Sequence, residues 1–196
     1  MAAPSANKFG HTSPSTADHV REEFKSQDLF IIDAGPCDVG IESTVITIDE
    51  TSSPSVVRIL RPGAVSSEML IEALQKWSKP TEVKFATNGK NTSSPGHLEH
   101  HYMPKIPLII SDRTNLHEFS AEDRLKIRSN LGHDLRNPAE LVLDEDPTIA
   151  ARELYSEMRR IAESGADAIL VRNNKQRGGL WLAIWDRLQR AAKLQL

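Results

Sequence analysis

Near the start of the chain, Ser5 and Asn7 put a hydroxyl and an amide on a tight loop, suited to contacts with phosphate or ribose oxygens. Ala3 and Ala6 beside them let a ligand approach the backbone. Taken alone, the same residues also make an ordinary turn. Ser13 precedes Pro14, the arrangement of a helix cap followed by proline at the first helical position. Free N–H groups at such a terminus can hold an anion, although capping by itself accounts for the serine. Ser43 and Thr44 stand where a glycine turn meets a β-branched run, so their hydroxyls either face a ligand or bond to the backbone. Arg61 ends an apolar run just before Pro62-Gly63, a fixed position from which a guanidinium can grip phosphate, while Arg58 on the same hairpin faces solvent. His97, His100, His101 and Tyr102 suggest a metal site, but no cysteine or second histidine pair completes a four-ligand zinc set. The single cysteine, Cys37, has no internal disulfide partner and reads as a small semi-buried residue beside a turn.

These residues need elements to carry them. Ala17, Val20 and Phe24 recur at helical spacing, which predicts a helix over 14–25 capped at Ser13. Leu29-Phe30-Ile31-Ile32 reads as a buried strand delivered into the turn Asp33-Ala34-Gly35-Pro36. Thr44 to Ile48 and Val56 to Leu60, separated by turn residues, predict a hairpin. Ser66 caps a helix with Glu68 in its first turn and Leu70, Ala73, Leu74 and Trp77 on its apolar face. From Lys79 to about Leu98 the chain is polar and turn-rich, and reads as a linker. Leu108-Ile109-Ile110 opens a second unit as a strand, and a short helix lies near 120–130 in a charged stretch otherwise hard to read. Asp146-Pro147 starts a helix whose apolar positions Ala151, Leu154, Tyr155, Met158 and Ile161 keep one face. Gly165 stops it, Ala168 to Val171 is a buried strand, and Gly178-Gly179 leads into a last helix with Trp181, Ile184, Trp185, Leu188, Ala191 and Ala192 inward. Tyr155, Trp181 and Trp185 are expected to pack in the core.

The chain has 196 residues, 39% of them hydrophobic and 26% charged, enough for one good core or two small ones. Lys plus Arg total 24 against 27 Asp plus Glu, so the overall field provides no reason for strong nonspecific binding to nucleic acid. No apolar run reaches the roughly 20 residues of a membrane span, and the first residues lack the pattern of a secretory signal, so cytoplasmic residence is expected.

Several segments in order resemble the YrdC-like threonylcarbamoyl-AMP synthase family in its long, two-domain form. Ala3-Pro4-Ser5-Ala6-Asn7-Lys8-Phe9-Gly10 with Ser13-Pro14 is similar to the family's nucleotide-site loop. Asp33-Ala34-Gly35-Pro36-Cys37-Asp38-Val39-Gly40-Ile41-Glu42-Ser43-Thr44-Val45 and Leu60-Arg61-Pro62-Gly63 resemble further catalytic-domain signatures. Ser94-Pro95-Gly96-His97 through His100-His101-Tyr102-Met103-Pro104 is similar to the interdomain linker, and Ala150-Ala151-Arg152-Glu153-Leu154-Tyr155 and the stretch Gly178 to Ala192, with Asp186-Arg187-Leu188 inside it, to the C-terminal domain.

The resemblance implies an α/β fold: residues 1–85 as the C-terminal part of a twisted open YrdC-like sheet domain, 86–105 as linker, and 106–196 as a small Rossmann-like domain. It implies a nucleotidyltransferase that makes threonylcarbamoyl-AMP and pyrophosphate from L-threonine, bicarbonate and ATP with Mg2+, for N6-threonylcarbamoyladenosine in tRNA. Such transfers rely on positioning and cations rather than on a protein nucleophile. It assigns Ala3, Ser5, Asn7, Ser13, Arg61, His101 and Tyr102 to ATP, Ser43 and Thr44 to threonine, and no residue to a metal. His101 and Tyr102 are expected to reach the nucleotide as part of a lid. Downstream partners would be the threonylcarbamoyl-transferase machinery, with direct contact to tRNA or double-stranded RNA left open. Family members carry further sequence before the Ser-Ala-Asn loop, including a Lys-x-Arg segment that binds ATP phosphates and threonine. The expectation is therefore a chain from an internal start or a split or truncated gene, with exposed apolar sheet faces, only the C-terminal unit folding well, and a noncatalytic remnant or split-enzyme subunit as the alternative.

Overall fold

A computed structural model describes residues 4–77, 79–86, 101–173 and 178–196. The β-branched run Val45–Asp49 (β1) folds back on Ser55–Arg61 (β2) as an antiparallel pair, with Ile46 opposite Ile59 and Ile48 opposite Val57. Arg61 is the last residue of β2, so its position is inherited from the hairpin register. The chain then forms a helix at Ser67–Gln75, numbered α2 below, after a short α1 at Ala17–Glu23. A strand Thr81–Phe85 (β3) follows and pairs parallel with β2, giving the order β1-β2-β3.

Several expectations fail in this first unit. Leu29 to Ile32 forms no strand, and Phe30 and Ile32 are 92% and 83% exposed. An apolar run becomes a strand only when another strand takes its backbone groups, and none among the described residues does. The α1 helix starts after Thr16, whose hydroxyl accepts from the His19 amide at 3.2 Å, so Ser13 is not its cap. Cys37 is exposed rather than semi-buried. On α2, the Ser66 cap is present, accepting from the Met69 amide at 3.2 Å, but Ala73 and Trp77 face solvent. The stretch read as linker contains β3, whose mixed sequence carries no apolar run and is held by its pairing with β2.

The second unit is a four-stranded parallel sheet in the order β5-β6-β4-β7, from Leu108–Ser111 (β4), Ala139–Leu141 (β5), Ile169–Arg172 (β6) and Ala192–Gln195 (β7). Helices Pro147–Glu163 (α4) and Trp181–Ala191 (α5) cover one face with Leu108, Ile110, Ile169 and Val171. Ala121–Leu131 (α3) covers the other, over Ile109 and Leu170. Alternate side chains of β4 and β6 thus enter opposite cores, which is why both read as continuous apolar runs. Asp146 caps α4 ahead of Pro147, and Gly165, at φ +86°, follows its end. Neither β5 nor β7 was foreseen. Ala192 does not extend α5: it turns to an extended backbone and pairs with Leu108.

One stripe of α4 carries contacts between the two units. Gly40 lies against Arg152, Glu42 on the Tyr155 hydroxyl, Ser15 on Ser156 at 2.7 Å, and Glu23 on Arg159 at 3.4 Å. Positions 152, 155, 156 and 159 follow the i, i+3, i+4, i+7 spacing of a helix face.

Candidate functional site

A cleft of about 780 Å³ opens on the first unit, against His101 and Tyr102 of the segment that leads to the second. Its walls come from the loops 4–14 and 37–43, the end of β2 at Arg61, and His101–Tyr102. Glycine makes the first loop–loop contact feasible: a Cβ on Gly63 would lie 2.3 Å from the Thr44 nitrogen and 2.5 Å from the Glu42 carbonyl. The Ala64 amide then donates to that carbonyl at 3.2 Å, and Arg61 Nη2 donates to the Ser43 carbonyl at 3.0 Å. Ser43 and Arg61 therefore sit side by side although 18 positions separate them. Gly40, with φ +77°, turns the preceding loop so closely against α4 that a Cβ would lie 2.4 Å from Arg152 backbone atoms.

Glu42 joins these pieces. It accepts from Ser13 Oγ at 2.7 Å, from the Tyr155 hydroxyl at 3.0 Å and from Arg187 Nε at 3.0 Å. Burial alone pushes its carboxyl up, but the Arg187 charge and the Ser13 and backbone hydrogen bonds outweigh it and hold the carboxyl below the usual range. Burial beside Glu42 raises the Tyr155 phenol well above its ordinary value. Among the described residues, Asp38, Glu42 and Arg61 are the acidic and basic side chains on the cleft wall.

Tyr102 closes one side. It has φ +66°, uncommon for a residue with a side chain, and is 1% exposed. Its ring stacks on Tyr155 at 5.8 Å, meets His101 edge-on at 4.2 Å and lies 5.6 Å from the Arg187 guanidinium. Among the described residues the Tyr102 hydroxyl is buried without a partner, and burial raises its pKa. His101 is lowered, by burial foremost and against the pull of Glu42. Backbone bonds clamp this segment to the loop of residue 10: Met103 donates to Gly10 at 2.8 Å and Thr12 to Met103 at 3.2 Å.

The structure gathers Ser5, Ser13, Ser43, Arg61, His101 and Tyr102 on the cleft wall. It does not bring Asn7 or Thr44 there. The Asn7 amide donates to the carbonyls of Lys8 and His11 at 3.0 Å each, bracing the loop. The Thr44 hydroxyl donates to the Val65 carbonyl and accepts from its amide. Ser13 is buried and its hydroxyl points at Glu42. Ala3, His97 and His100 lie outside the described residues. Among the described residues no group of three or more His, Cys, Asp or Glu side chains is arranged to hold a metal ion, and no helix is long and apolar enough to cross a membrane. Sequence reasoning gave no role to Glu42, and it assigned Tyr155 to packing alone. The available signal was a charged residue, Arg187, on the apolar side of α5.

The family model described as threonylcarbamoyl-AMP synthase, C-terminal domain, matches residues 65–193. The model described as telomere recombination matches residues 1–63. A threonylcarbamoyl-AMP synthase of Pyrococcus abyssi is 32% identical over 205 residues, covering 98% of this chain and 57% of its own. One from Bacillus subtilis is 29% identical over 211 residues, with 98% and 57% covered. The chain thus spans little more than half the length of these relatives. The crystal structure of P. abyssi Sua5 complexed with L-threonine aligns with a TM-score of 0.68 at 28% identity, over 100% of this chain and 59% of that one.

Proposed function

The chain belongs to the threonylcarbamoyl-AMP synthase family, and on that premise we propose that its cleft serves L-threonylcarbamoyladenylate synthesis. The substrates would be L-threonine, bicarbonate and ATP as its magnesium complex, and the product would feed threonylcarbamoyl transfer to tRNA. The observation that carries this reading is the 3.0 Å bond from Arg61 to the Ser43 carbonyl, which sets Arg61 beside the Ser43 backbone on one cleft wall. The likeness to a structure complexed with L-threonine supports it.

In the reaction, a carbamate oxygen of N-carboxy-threonine forms a bond to the α-phosphorus of ATP. The bond from that phosphorus to the bridging oxygen breaks, and pyrophosphate leaves. Arg61 would neutralise phosphate charge, Ser43 would hydrogen-bond threonine, and Ser5 would meet the nucleotide at the cleft rim. His101, lowered by burial, is the neutral imidazole at neutral pH, and with Tyr102 it would exclude water from the anhydride. Asn7, Ser13 and Thr44 would act one step back, by holding the loops.

A second reading, a split-enzyme subunit or a noncatalytic remnant that still binds nucleotide, is favoured by the exposure of Phe30 and Ile32 beside the same cleft-forming loop. Purified chain incubated with ATP, threonine and bicarbonate separates the two. Threonylcarbamoyl adenylate detected by mass, dependent on both co-substrates, is the outcome of the first. Calorimetric binding of ATP or threonine without product is the outcome of the second.

A further inference from the structure

Arg187 sits in the helix α5 of the second unit, 1% exposed, yet its hydrogen bonds cross into the first. Nε donates to Glu42 Oε2 at 3.0 Å, and Nη1 donates to the Pro62 carbonyl. Glu42 is the chain neighbour of Ser43, and Pro62 is the neighbour of Arg61. One planar guanidinium therefore ties together the two segments that face the cleft. Asp186 Oδ2 holds the same Nη1 at 3.1 Å, while its other oxygen binds Arg190 at 2.9 Å, so the fork is aimed from within α5.

A buried guanidinium loses several kcal/mol of hydration and is retained only where hydrogen bonds and charge replace it. An apolar residue would satisfy the packing of α5. The cross-unit fork has another consequence: it transmits the docking of the second unit to the Ser43 and Arg61 loops. We infer that Arg187 is a positioning residue, acting through Glu42 and Pro62 to hold Ser43 and Arg61 in ligand-binding register only while the two units are docked. The part of this inference that concerns ligand rests on the proposed function; the part that concerns loop order does not.

The test compares the full chain with Arg187→Met and Arg187→Lys, reading amide hydrogen exchange and L-threonine titration by calorimetry. A lysine keeps the charge but lacks the rigid planar fork that spans both acceptors. In Arg187→Met, exchange at 42–44 and 63–65 is expected to rise about tenfold or more while β4 and β6 keep their protection. Threonine affinity falls by about tenfold, as for a lost charge-assisted hydrogen bond. Arg187→Lys lies between the wild type and Arg187→Met on both readouts. Unchanged loop exchange in Arg187→Met overturns the inference, and so does unchanged threonine affinity in a chain whose wild type binds threonine. Should the wild type bind no threonine, the functional reading fails and loop exchange alone decides the inference. Should Arg187→Met lose protection in β4 and β6 as well, Arg187→Lys decides: selective loosening of 42–44 and 63–65 supports positioning, and uniform loosening overturns it.

Discussion

Gly35 and Gly40 both have positive φ, +92° and +77°, and sit five positions apart in one loop, but they face different surroundings. Among the described residues nothing lies within 4 Å of a Cβ built on Gly35, so Gly35→Ala should cost only the left-handed backbone, about 1–2 kcal/mol. Gly40→Ala adds a collision with the α4 backbone, which cannot swing aside as a side chain would. It should cost more than about 3 kcal/mol, measured by denaturant unfolding of the two variants. Glu42 carries a pH signature. Its folded pKa is depressed, so the stability it contributes is present above the unfolded glutamate pKa and is lost as pH falls through the folded value. Thermal unfolding from about pH 6 to about pH 3 should show Glu42→Gln least stable relative to wild type at the upper end, with the gap narrowing on acidification. A gap independent of pH would mean the charge on Glu42 contributes nothing. In the sequence the glycine-rich loop was legible as a turn. That its Gly40 rests on Arg152, more than a hundred positions away, was not, because positive φ has a local cause and close approach does not.

Among the elements, α4 was legible because its start is written in local chemistry, whereas α3 was placed only near 120–130, with its cap unread. Ser120 and Asp123 form a capping box, with Ser120 Oγ accepting from the Asp123 amide at 3.1 Å and Asp123 accepting the Ser120 amide at 2.9 Å. Ser120→Ala should lower stability by about 1 kcal/mol, with exchange at the first turn of α3 accelerated ahead of its centre. For α1 the same rule selected the wrong serine. Ser13-Pro14 and Thr16-Ala17 are both competent starts, and what decides is that Ser13 is drawn to Glu42, a partner 29 positions away. The strands β3, β5 and β7 escaped because short edge segments owe their state to the neighbour that pairs with them.

At the scale of the whole molecule the two units differ in how they are held. The second has β4 and β6 buried on both faces, and Leu154→Ala in its core should cost about 2–5 kcal/mol. Ile48, on β1, is 59% exposed, and Ile48→Ala should stay within about 1 kcal/mol of wild type by the same denaturant titration. A loss at Ile48 as large as that at Leu154 would mean the first sheet is covered in solution. By itself the sequence determined the α/β class, the hairpin that ends on Arg61, the two buried strands β4 and β6 and the amphipathic helices α4 and α5, since each follows from periodicity, capping and turn chemistry within about a dozen neighbouring residues. Only the tertiary structure decided that Glu42, Tyr155 and Arg187 converge, that Ser43 meets Arg61, and that Phe30 and Ile32 stay exposed. Those outcomes depend on which distant segment supplies a hydrogen-bond partner or an apolar cover, and no local pattern encodes that choice.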